Sequence, residues 1–167
     1  MGYTHYWTFK PAPKGLAKQA ETKYQKAVEE CTKVIQTYYK EYGGLSGYTA
    51  HTKDYGGLNV NGKGDQAHET FAMREHYSQN IDKEGYNSGF NFCKTARKPY
   101  DLVVVACLSI MKYQLGDLID VQSDGDSIDW YDGVEYANKV LKRKVLIPAS
   151  IRRPNINWPT LVTGGAK

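Results

Sequence analysis

The feature that most constrains the fold of this chain is a long series of apolar side chains, spaced three or four residues apart, within residues 14–42. Lysine and glutamate side chains fill the positions between them, as on the wet face of an amphipathic helix. The apolar members are Leu16, Ala20, Tyr24, Ala27, Cys31, Ile35, Tyr38 and Tyr42. The spacing predicts one long helix that ends at the glycine pair Gly43-Gly44.

Strands are predicted on both sides of this helix. The side chains of residues 3–9 alternate between two faces, which indicates a strand that can be covered on both sides. His5 shares one of these faces with Tyr3 and Trp7, so we expect a hydrogen-bonded histidine in the core. Asn61-Gly62 predicts a tight connection between two later strands. The later strands are expected over residues 57–62, 68–74, 89–93 and 118–122, with loops over 43–56 and 78–88.

Residues 102–115 form an apolar run that fits two structures. Three consecutive valines, Val103 to Val105, favour a buried strand. The run is too long for most strands, however, and it ends in Leu115-Gly116, as helices often do. We therefore interpret it as a buried helix. A third helix is expected to follow, capped by Asp129.

The predicted order of elements is β-α-β-β-β-α-β-α. It is typical of an α+β domain, with a single mainly antiparallel sheet and about three helices packed on it. The domain is expected to span residues 1–147. Residues 148–167 contain three prolines and are expected to form an extended basic tail. The apolar side chains Ile156, Trp158 and Leu161 could attach this tail to the domain or to another subunit.

The net charge of +4 conceals a strong asymmetry along the chain. Residues 1–115 carry a net charge of +4, residues 116–135 carry −7, and residues 136–167 carry +7. The acidic and basic blocks could pair within one chain or within a homo-oligomer, which we expect in any case. Alternatively, the basic tail could contact nucleic acid or another anionic partner, or both blocks could simply be solvated.

The sequence gives no indication of a membrane segment, a cofactor or a disulfide framework. No window approaches the roughly 20 apolar residues of a membrane span, and the first residues lack the pattern of a secretion signal. A cytoplasmic location is expected, in the host if the chain is phage-encoded. The three cysteines, Cys31, Cys93 and Cys107, are widely spaced and lie in apolar surroundings. Buried free thiols are therefore expected, and no metal site.

Three motifs resemble functional sites but fit simpler structures better. Residues 57–64 match a P-loop except that Gly64 replaces the hydroxyl residue that would bind Mg²⁺, so a strand and turn are expected. Residues 124–129 have acidic residues at the wrong spacing for an EF-hand loop, which favours a turn followed by a helix cap. Two His-x-[Ser/Thr] strings begin at His68 and His76, but they are too close together to serve as the paired motifs of a phosphoesterase.

The strongest functional indication is the basic segment Asn91–Asp101. It places Lys94, Arg97 and Lys98 just ahead of the expected second helix. The N-terminus of a helix presents free N–H groups and partial positive charge, so cationic side chains there predict an anion site. The full set of expected ligand-binding residues is Lys94, Thr95, Arg97, Lys98, Tyr100, Asp101, Lys63, Arg74 and His76.

Within this set we expect a division of roles. The cationic side chains would bind phosphate, the Thr95 hydroxyl would donate a hydrogen bond, and Tyr100 or a loop tyrosine would stack a nucleobase. The chain has 14 tyrosines, many of them near helix ends or in loops. The alternative is that these tyrosines fill amphipathic positions with their hydroxyls in water. No catalytic residue is identified, although Lys94, Asp101 and His76 are the first candidates.

Several of these strings also resemble a family of small uncharacterised proteins from bacteriophages and bacteria. The specific strings are the opening Met-Gly-Tyr-Thr-His-Tyr-Trp, Phe-Cys-Lys-Thr at residues 92–95 and Pro-Tyr-Asp at residues 99–101; Asn61-Gly62 and Ser-Asp-Gly at 123–125 add less specific support. The resemblance covers residues 1–140 and leaves out the tail. It implies a phage or phage-exposed bacterial origin, and it assigns no activity and no catalytic residue.

Three functions follow as hypotheses. The leading one is non-enzymatic binding of a phosphorylated small molecule, in particular a nucleotide, which in a phage context would sequester a nucleotide signal of host immunity. The second is a nucleotide-processing hydrolase that depends on His76 or Asp101. The third is a protein-interaction role, as an inhibitor or a virion-associated protein, in which the acidic and basic blocks drive assembly and salt dissociates the complex.

Overall fold

The amphipathic pattern of residues 14–42 forms helix α1, Ala17–Tyr42, in a computed structural model that describes residues 2–81 and 89–154. Helices and strands are mixed in the described chain, which confirms the α+β class. The other helices are a single turn α2, Tyr48–His51, and two longer ones, α3, Asp101–Leu115, and α4, Ser127–Leu141. The strands are β1, Thr4–Phe9; β2, Leu45–Ser46; β3, Leu58–Gly62; β4, Phe71–Met73; β5, Phe90–Lys94; and β6, Ile119–Ser123.

The strands form two antiparallel sheets of three strands each, and the prediction of a single sheet was wrong. One sheet has the order β5-β1-β6, and the other has the order β2-β3-β4. The difference arises from β2, which lies in a segment expected to be a loop. Leu45 pairs with Gly62 and Ser46 with Asn61, so β3 has neighbours on both edges without joining the first sheet.

The apolar run after Tyr100 is a helix, as predicted. Helix α3 is buried on nearly every side because it packs between α1 and α4. A helix that is covered all round can be apolar all round, which explains why three consecutive valines are tolerated there. Gly133 of α4 allows the close approach: a Cβ at this position would lie 2.6 Å from Cγ1 of Val105 and 2.9 Å from the carbonyl oxygen of Leu102.

The connection after Asn61-Gly62 is longer than predicted. Residues 63–70 separate β3 from β4, and they include a 3-10 turn, Gly64–Gln66. The Asn61 side chain bridges this loop, since its Oδ1 accepts from His68 N at 3.0 Å and its Nδ2 donates to His68 O at 2.9 Å. Asn61 therefore stabilises an eight-residue loop and does not mark a two-residue hairpin turn. The strand expected within the P-loop-like segment is confirmed.

Helix α4 is capped by Asp126. The prediction of Asp129 as the cap was wrong, since Asp129 lies three residues later, in the first turn of the helix. Asp126 Oδ1 accepts from the backbone N–H groups of Ile128 at 2.9 Å and Asp129 at 3.2 Å. The Asp129 carboxylate in turn accepts from Asp126 N at 2.9 Å. This reciprocal pair is a capping box. Residues 124–129 therefore form a turn followed by a helix cap, as expected, but the capping residue is Asp126.

The first residues of the predicted tail are attached to the domain. Ile151 is buried, the Ser150 hydroxyl donates to Val121 O at 2.5 Å, and Ser127 N donates to Arg152 O at 2.7 Å. Ile156, Trp158 and Leu161 lie outside the described residues, so their expected contacts stay a prediction. The domain boundary at residue 147 stays a prediction as well.

Among the described residues no ion pair joins the acidic and basic blocks, although the Arg152 guanidinium of the basic block donates to the backbone oxygen of Asp124. Two members of the acidic block, Asp120 and Asp129, form ion pairs with Lys10 and Arg97, which both precede it in sequence. Arg143 of the basic block pairs with Glu30 of helix α1. Each block is thus neutralised in part by the first 115 residues of the chain.

Two further expectations concern burial and the membrane. Cys31, Cys93 and Cys107 are buried free thiols, as predicted. In the ranges 2–81 and 89–154, none of the helices combines the length and the apolar character needed to cross a membrane.

Candidate functional site

The start of β1, the end of β6 and the first turn of α3 meet at a buried histidine. His5 is fully buried, as predicted for a core histidine. Its Nε2 lies 2.7 Å from Asp101 Oδ1, and its Nδ1 lies 2.8 Å from the Ser123 hydroxyl. The Thr95 hydroxyl donates to the same Asp101 oxygen at 2.5 Å. Four segments of the chain are therefore joined by one network of side-chain hydrogen bonds.

The hydrogen bonds to Ser123 determine how protons are placed in this network. Its Oγ accepts from Gly125 N at 2.9 Å and from Trp130 Nε1 at 3.1 Å, which occupies both lone pairs. The Ser123 hydroxyl must then donate to His5 Nδ1, so His5 Nε2 carries the proton that it donates to Asp101. A serine with both lone pairs occupied is a poor nucleophile. The serine–histidine–aspartate series is therefore a structural tie between elements.

The basic segment ahead of α3 is held in an unusual backbone conformation. Ala96 and Arg97 both have positive φ angles, 52° and 58°, a region that costs roughly 1–2 kcal/mol for each residue with a Cβ. The N–H groups of Thr95 and Ala96 both donate to Tyr3 O at 3.1 Å. The bend directs the Arg97 guanidinium over the ring of Tyr3, at 4.0 Å from its centroid, and to Asp129 at 2.9 Å.

The N-terminus of α3 does not offer the free N–H groups on which the predicted anion site depended. Asp101 N donates to Lys98 O at 2.9 Å, Leu102 N to Pro99 O at 3.3 Å, and Val103 N to Tyr100 O at 3.1 Å. A turn leading into the helix has already satisfied these donors. The Asp101 carboxylate also lies at the first turn, where it holds His5, and its negative charge opposes an incoming anion.

Three side chains of this segment, Thr95, Arg97 and Lys98, are also engaged, whereas that of Lys94 forms no hydrogen bond or ion pair among the described residues. Thr95 is buried and bonded to Asp101, and Arg97 is paired with Asp129. Lys98 Nζ donates to Asp65 O at 3.0 Å, in the loop that also carries the exposed side chain of Lys63. The Lys94 side chain lies beside Gly2, within 3.2 Å of where a Cβ would stand. Arg97 and Lys98 border a small cavity of about 230 Å³, but three carboxylates line it too, Asp101, Asp129 and Asp132.

Tyr100 cannot stack a nucleobase in this structure. Its ring is fully buried, and its hydroxyl donates to Glu69 O at 2.5 Å. Burial raises the pKa of this hydroxyl far above its ordinary value, and the neighbouring Cys93 thiol contributes in the same direction. Tyr100 thus ties the β3–β4 side of the molecule to the base of α3. Its burial speaks against Tyr100 as the stacking residue, and the alternative, a loop tyrosine, stays a prediction.

Arg74 lies apart from the basic segment, on a larger cavity of about 540 Å³ between the second sheet and the 3-10 turn Tyr77–Asn80. Within the described residues, its guanidinium forms neither an ion pair nor a hydrogen bond. Its backbone is fixed, because Arg74 N donates to Asn80 Oδ1 at 3.0 Å and the Tyr24 hydroxyl donates to Arg74 O at 2.5 Å. Arg74 thus lines the cavity from a rigid backbone.

The same cavity has an aromatic wall and several polar side chains. The ring of Tyr55 lies on it and stacks on Tyr48, with centroids 5.1 Å apart and planes 5° from parallel. Tyr55 belongs to the loop tyrosines that the sequence indicated as stacking candidates. The polar lining comes from Arg74, Glu75, Gln79, Asn80 and Asn91.

His76 faces a third cavity and is paired with a residue that the sequence did not indicate. Its Nδ1 lies 2.7 Å from Glu21 Oε1, on helix α1. Because of this hydrogen bond the pKa of His76 is raised, and the Glu21 and Glu75 charges raise it further. Desolvation raises the pKa of Glu21, but hydrogen bonds from Tyr77 N, His76 and Gln25 outweigh it and lower the pKa.

The structure thus separates the nine predicted residues into three places. The basic segment with Lys63, the Arg74 cavity and the His76 cavity do not share a site. Glu21, Gln79 and Asn91 were missed as site residues, and Tyr55 was indicated only as one of several loop tyrosines. Glu21 was missed because it is one of several charged residues on the solvent-exposed face of a helix pattern. Among the residues described, no three His, Cys, Asp or Glu side chains are grouped as a metal site.

Comparisons of the chain with models of protein families, with curated proteins and with solved structures find no match. The resemblance to phage proteins therefore stays a prediction.

Proposed function

We propose that this protein binds a small phosphorylated ligand of the nucleotide type, without turning it over, in the cavity around Arg74. The observation that carries the proposal is the arrangement of Arg74 and Tyr55 on one cavity. A cation without a protein partner in the described chain attracts phosphate, and an aromatic ring beside it can stack a base. The cavity, of about 540 Å³, is within the range of small-molecule sites.

The remaining polar groups suit the rest of a nucleotide. The amide nitrogens of Gln79 and Asn91 have no hydrogen-bond partner among the described residues, and both side chains line the cavity. They are donors for phosphate or base oxygens. The Glu75 carboxylate is an acceptor for ribose hydroxyls or for an exocyclic amino group. Phosphate at Arg74 and hydrogen-bond donors at Glu75 require a ligand that carries both, as a nucleotide does.

In a phage context, such a site would serve to sequester a nucleotide signal of host immunity. This role rests on the resemblance to phage proteins, and it makes cyclic nucleotides the first ligands to test.

The test is a thermal-shift series with AMP, cyclic AMP, adenosine and inorganic phosphate. At a ligand concentration 100 times Kd, binding stabilises the folded state by about 2.7 kcal/mol, which raises Tm by about 5–10 °C in a chain of this size. We expect a nucleotide to raise Tm more than adenosine or phosphate does. The substitution Arg74→Gln should abolish the shift, and Tyr55→Ala should reduce it.

Matched controls are available for both variants. Arg153→Gln removes another exposed arginine, and Tyr131→Ala removes a tyrosine whose exposure, 39%, is close to the 41% of Tyr55. Both should leave the shift unchanged. The proposal is overturned if no nucleotide raises Tm, or if Arg74→Gln and Arg153→Gln reduce the shift equally.

A further inference from the structure

The cavity next to His76 differs in character from the Arg74 cavity. It has a volume of about 510 Å³, and much of its wall is apolar, from Pro11, Ala12, Ala17 and Ile81. Glu21, His76 and Ser78 supply the polar part of the lining together with Tyr77. In the described chain no lysine or arginine borders it. The walls therefore suit an uncharged, partly apolar molecule better than a phosphate ester.

Glu21 is fixed in place on this wall by two partners besides His76. Its Oε2 accepts from Tyr77 N at 2.7 Å, and its Oε1 accepts from Gln25 Nε2 at 3.0 Å. The backbone of His76 is fixed as well, because its N–H donates to Gln79 Oε1 at 2.8 Å. Both members of the Glu21–His76 pair thus have defined positions even though the histidine side chain is 53% exposed.

The hydrogen bond between the pair determines which nitrogen of His76 is available. Nδ1 lies 2.7 Å from a carboxylate oxygen that can only accept, so Nδ1 carries a proton. In the neutral imidazole Nε2 then has the free lone pair. Among the described residues no side chain hydrogen-bonds to Nε2, and the backbone N–H of Gln79, which lies next to the His76 side chain in a capping-box arrangement, donates to His76 O at 3.1 Å. A histidine oriented by a carboxylate through Nδ1, with Nε2 open to a cleft, has the geometry of a general base.

We propose that the Glu21–His76 pair is a hydrolytic site for carboxylic esters with an apolar acyl group. His76 Nε2 takes a proton from a water molecule as the water oxygen bonds to the ester carbonyl carbon. The tetrahedral intermediate then breaks its bond to the leaving oxygen, which receives the proton from His76. Water and ester give acid and alcohol, and no other reactant is needed. Glu21 is a positioning residue that holds the tautomer.

Water is the nucleophile in this proposal because no serine or cysteine hydrogen-bonds to Nε2 in the described chain. Ser78 lines the same cavity, and we assign its hydroxyl as the donor to the developing oxyanion. The apolar residues would receive the acyl chain. This activity lies beyond the proposed nucleotide binding, at a different cavity, so either idea can fail without the other.

The experiment measures hydrolysis of p-nitrophenyl acetate, butyrate and octanoate by the full chain. We expect faster hydrolysis than with the same concentration of free imidazole, and a preference for the longer acyl chains. General-base catalysis contributes about 10²–10⁴-fold, so His76→Gln should remove at least nine-tenths of the rate above buffer. Glu21→Gln should lower kcat and leave KM nearly unchanged.

His51→Gln is the matched control, since His51 is another exposed histidine on a helix end. It should retain the wild-type rate, and circular dichroism melting should show that His76→Gln remains folded. The proposal is overturned if the wild-type protein is no faster than free imidazole, or if His76→Gln and His51→Gln have the same rate.

Discussion

His5 Nε2 donates a hydrogen bond of 2.7 Å to Asp101 Oδ1, across 96 residues of sequence. His5 is fully buried, whereas the Asp101 side chain is 17% exposed, so the pair lies at the boundary between the core and the surface. The bond joins the central strand of the first sheet to the start of the most buried long helix. The bond also places the Asp101 carboxylate at the start of α3, where an anion was expected to bind.

Loss of His5 should therefore be strongly destabilising. His5→Ala leaves the Ser123 hydroxyl without its acceptor and removes one of the two side-chain donors to Asp101, the other being Thr95, in addition to creating a cavity. We expect a loss of about 3–5 kcal/mol in the free energy of unfolding. Urea denaturation followed by circular dichroism measures it. Asp101→Asn keeps an acceptor for His5 and should cost less than half as much; equal costs would show that the charge, and not the hydrogen bond, stabilises the pair.

The Tyr3 hydroxyl and Gly125 should show energetic coupling. A Cβ at Gly125 would lie 2.1 Å from the Tyr3 hydroxyl, so Gly125→Ala forces a shift of the ring. The hydroxyl is buried and has no hydrogen-bond partner among the described residues. Tyr3→Phe should therefore be neutral or stabilising, by up to about 1 kcal/mol.

A double-mutant cycle measures this coupling directly. Gly125→Ala alone should cost about 2 kcal/mol, and the cost should fall by at least about 1 kcal/mol in the Tyr3→Phe background. Additive effects of the two substitutions would contradict the close approach of these residues.

The titration of His76 should depend on Glu21. The hydrogen bond to Glu21 raises the pKa of His76, so the stabilisation is complete below the ordinary value of about 6.5 and is lost as pH rises through the raised pKa. The lowered pKa of Glu21 makes its stabilisation present above its ordinary value and lost as pH falls through the lowered pKa. The pair therefore stabilises the fold most in the range between, about pH 5 to 6.5.

NMR titration of the His76 ring tests this prediction. Glu21→Gln should lower the pKa of His76, and Glu29→Gln, an exposed change on the same helix, should not. A His76 pKa that is unaffected by Glu21→Gln would show that the pair does not form in solution.

The three cysteines should be unreactive in the folded protein. Burial raises the pKa of Cys93 to about 12, and the charge of Glu69 adds to this effect. Burial raises the pKa of Cys31 well above its ordinary value, and a hydrogen bond with Cys107 contributes. Because the thiolate is the reactive form, Ellman's reagent should label none of the thiols at neutral pH and all three in denaturant. Rapid labelling of a native thiol would contradict the buried positions.

The elements with strong periodicity were predictable, because a periodic pattern depends only on residues close in sequence. Helix α1 begins three residues later than expected and ends at the expected glycines, and the apolar run before Gly116 is the expected helix. The division of the strands into two sheets was not predictable in this way. A two-residue strand, β2, has no period of its own and exists because β3 offers it a partner.

In the candidate site, too, the individual residues were partly predictable from the sequence, whereas their grouping was not. The sequence indicated that Arg74 and His76 carry useful chemistry, but it grouped them with the basic segment because all three are cationic or near aromatics. Glu21 is 55 residues from His76, and Tyr55 is separated from Arg74 by a strand and a long loop. Only packing brings such residues together.

By itself, the sequence determined the α+β class, the long amphipathic helix, the buried helix after Tyr100 and the buried thiols, since burial and periodicity are written in local patterns of apolar residues. The tertiary structure decided which polar groups are already used. Asp101 accepts a hydrogen bond from His5, and Arg97 forms an ion pair with Asp129. The first N–H groups of α3 donate to carbonyl oxygens of the turn that precedes the helix. A polar side chain binds a ligand only if no partner in the fold satisfies it first, and those partners come from distant parts of the chain.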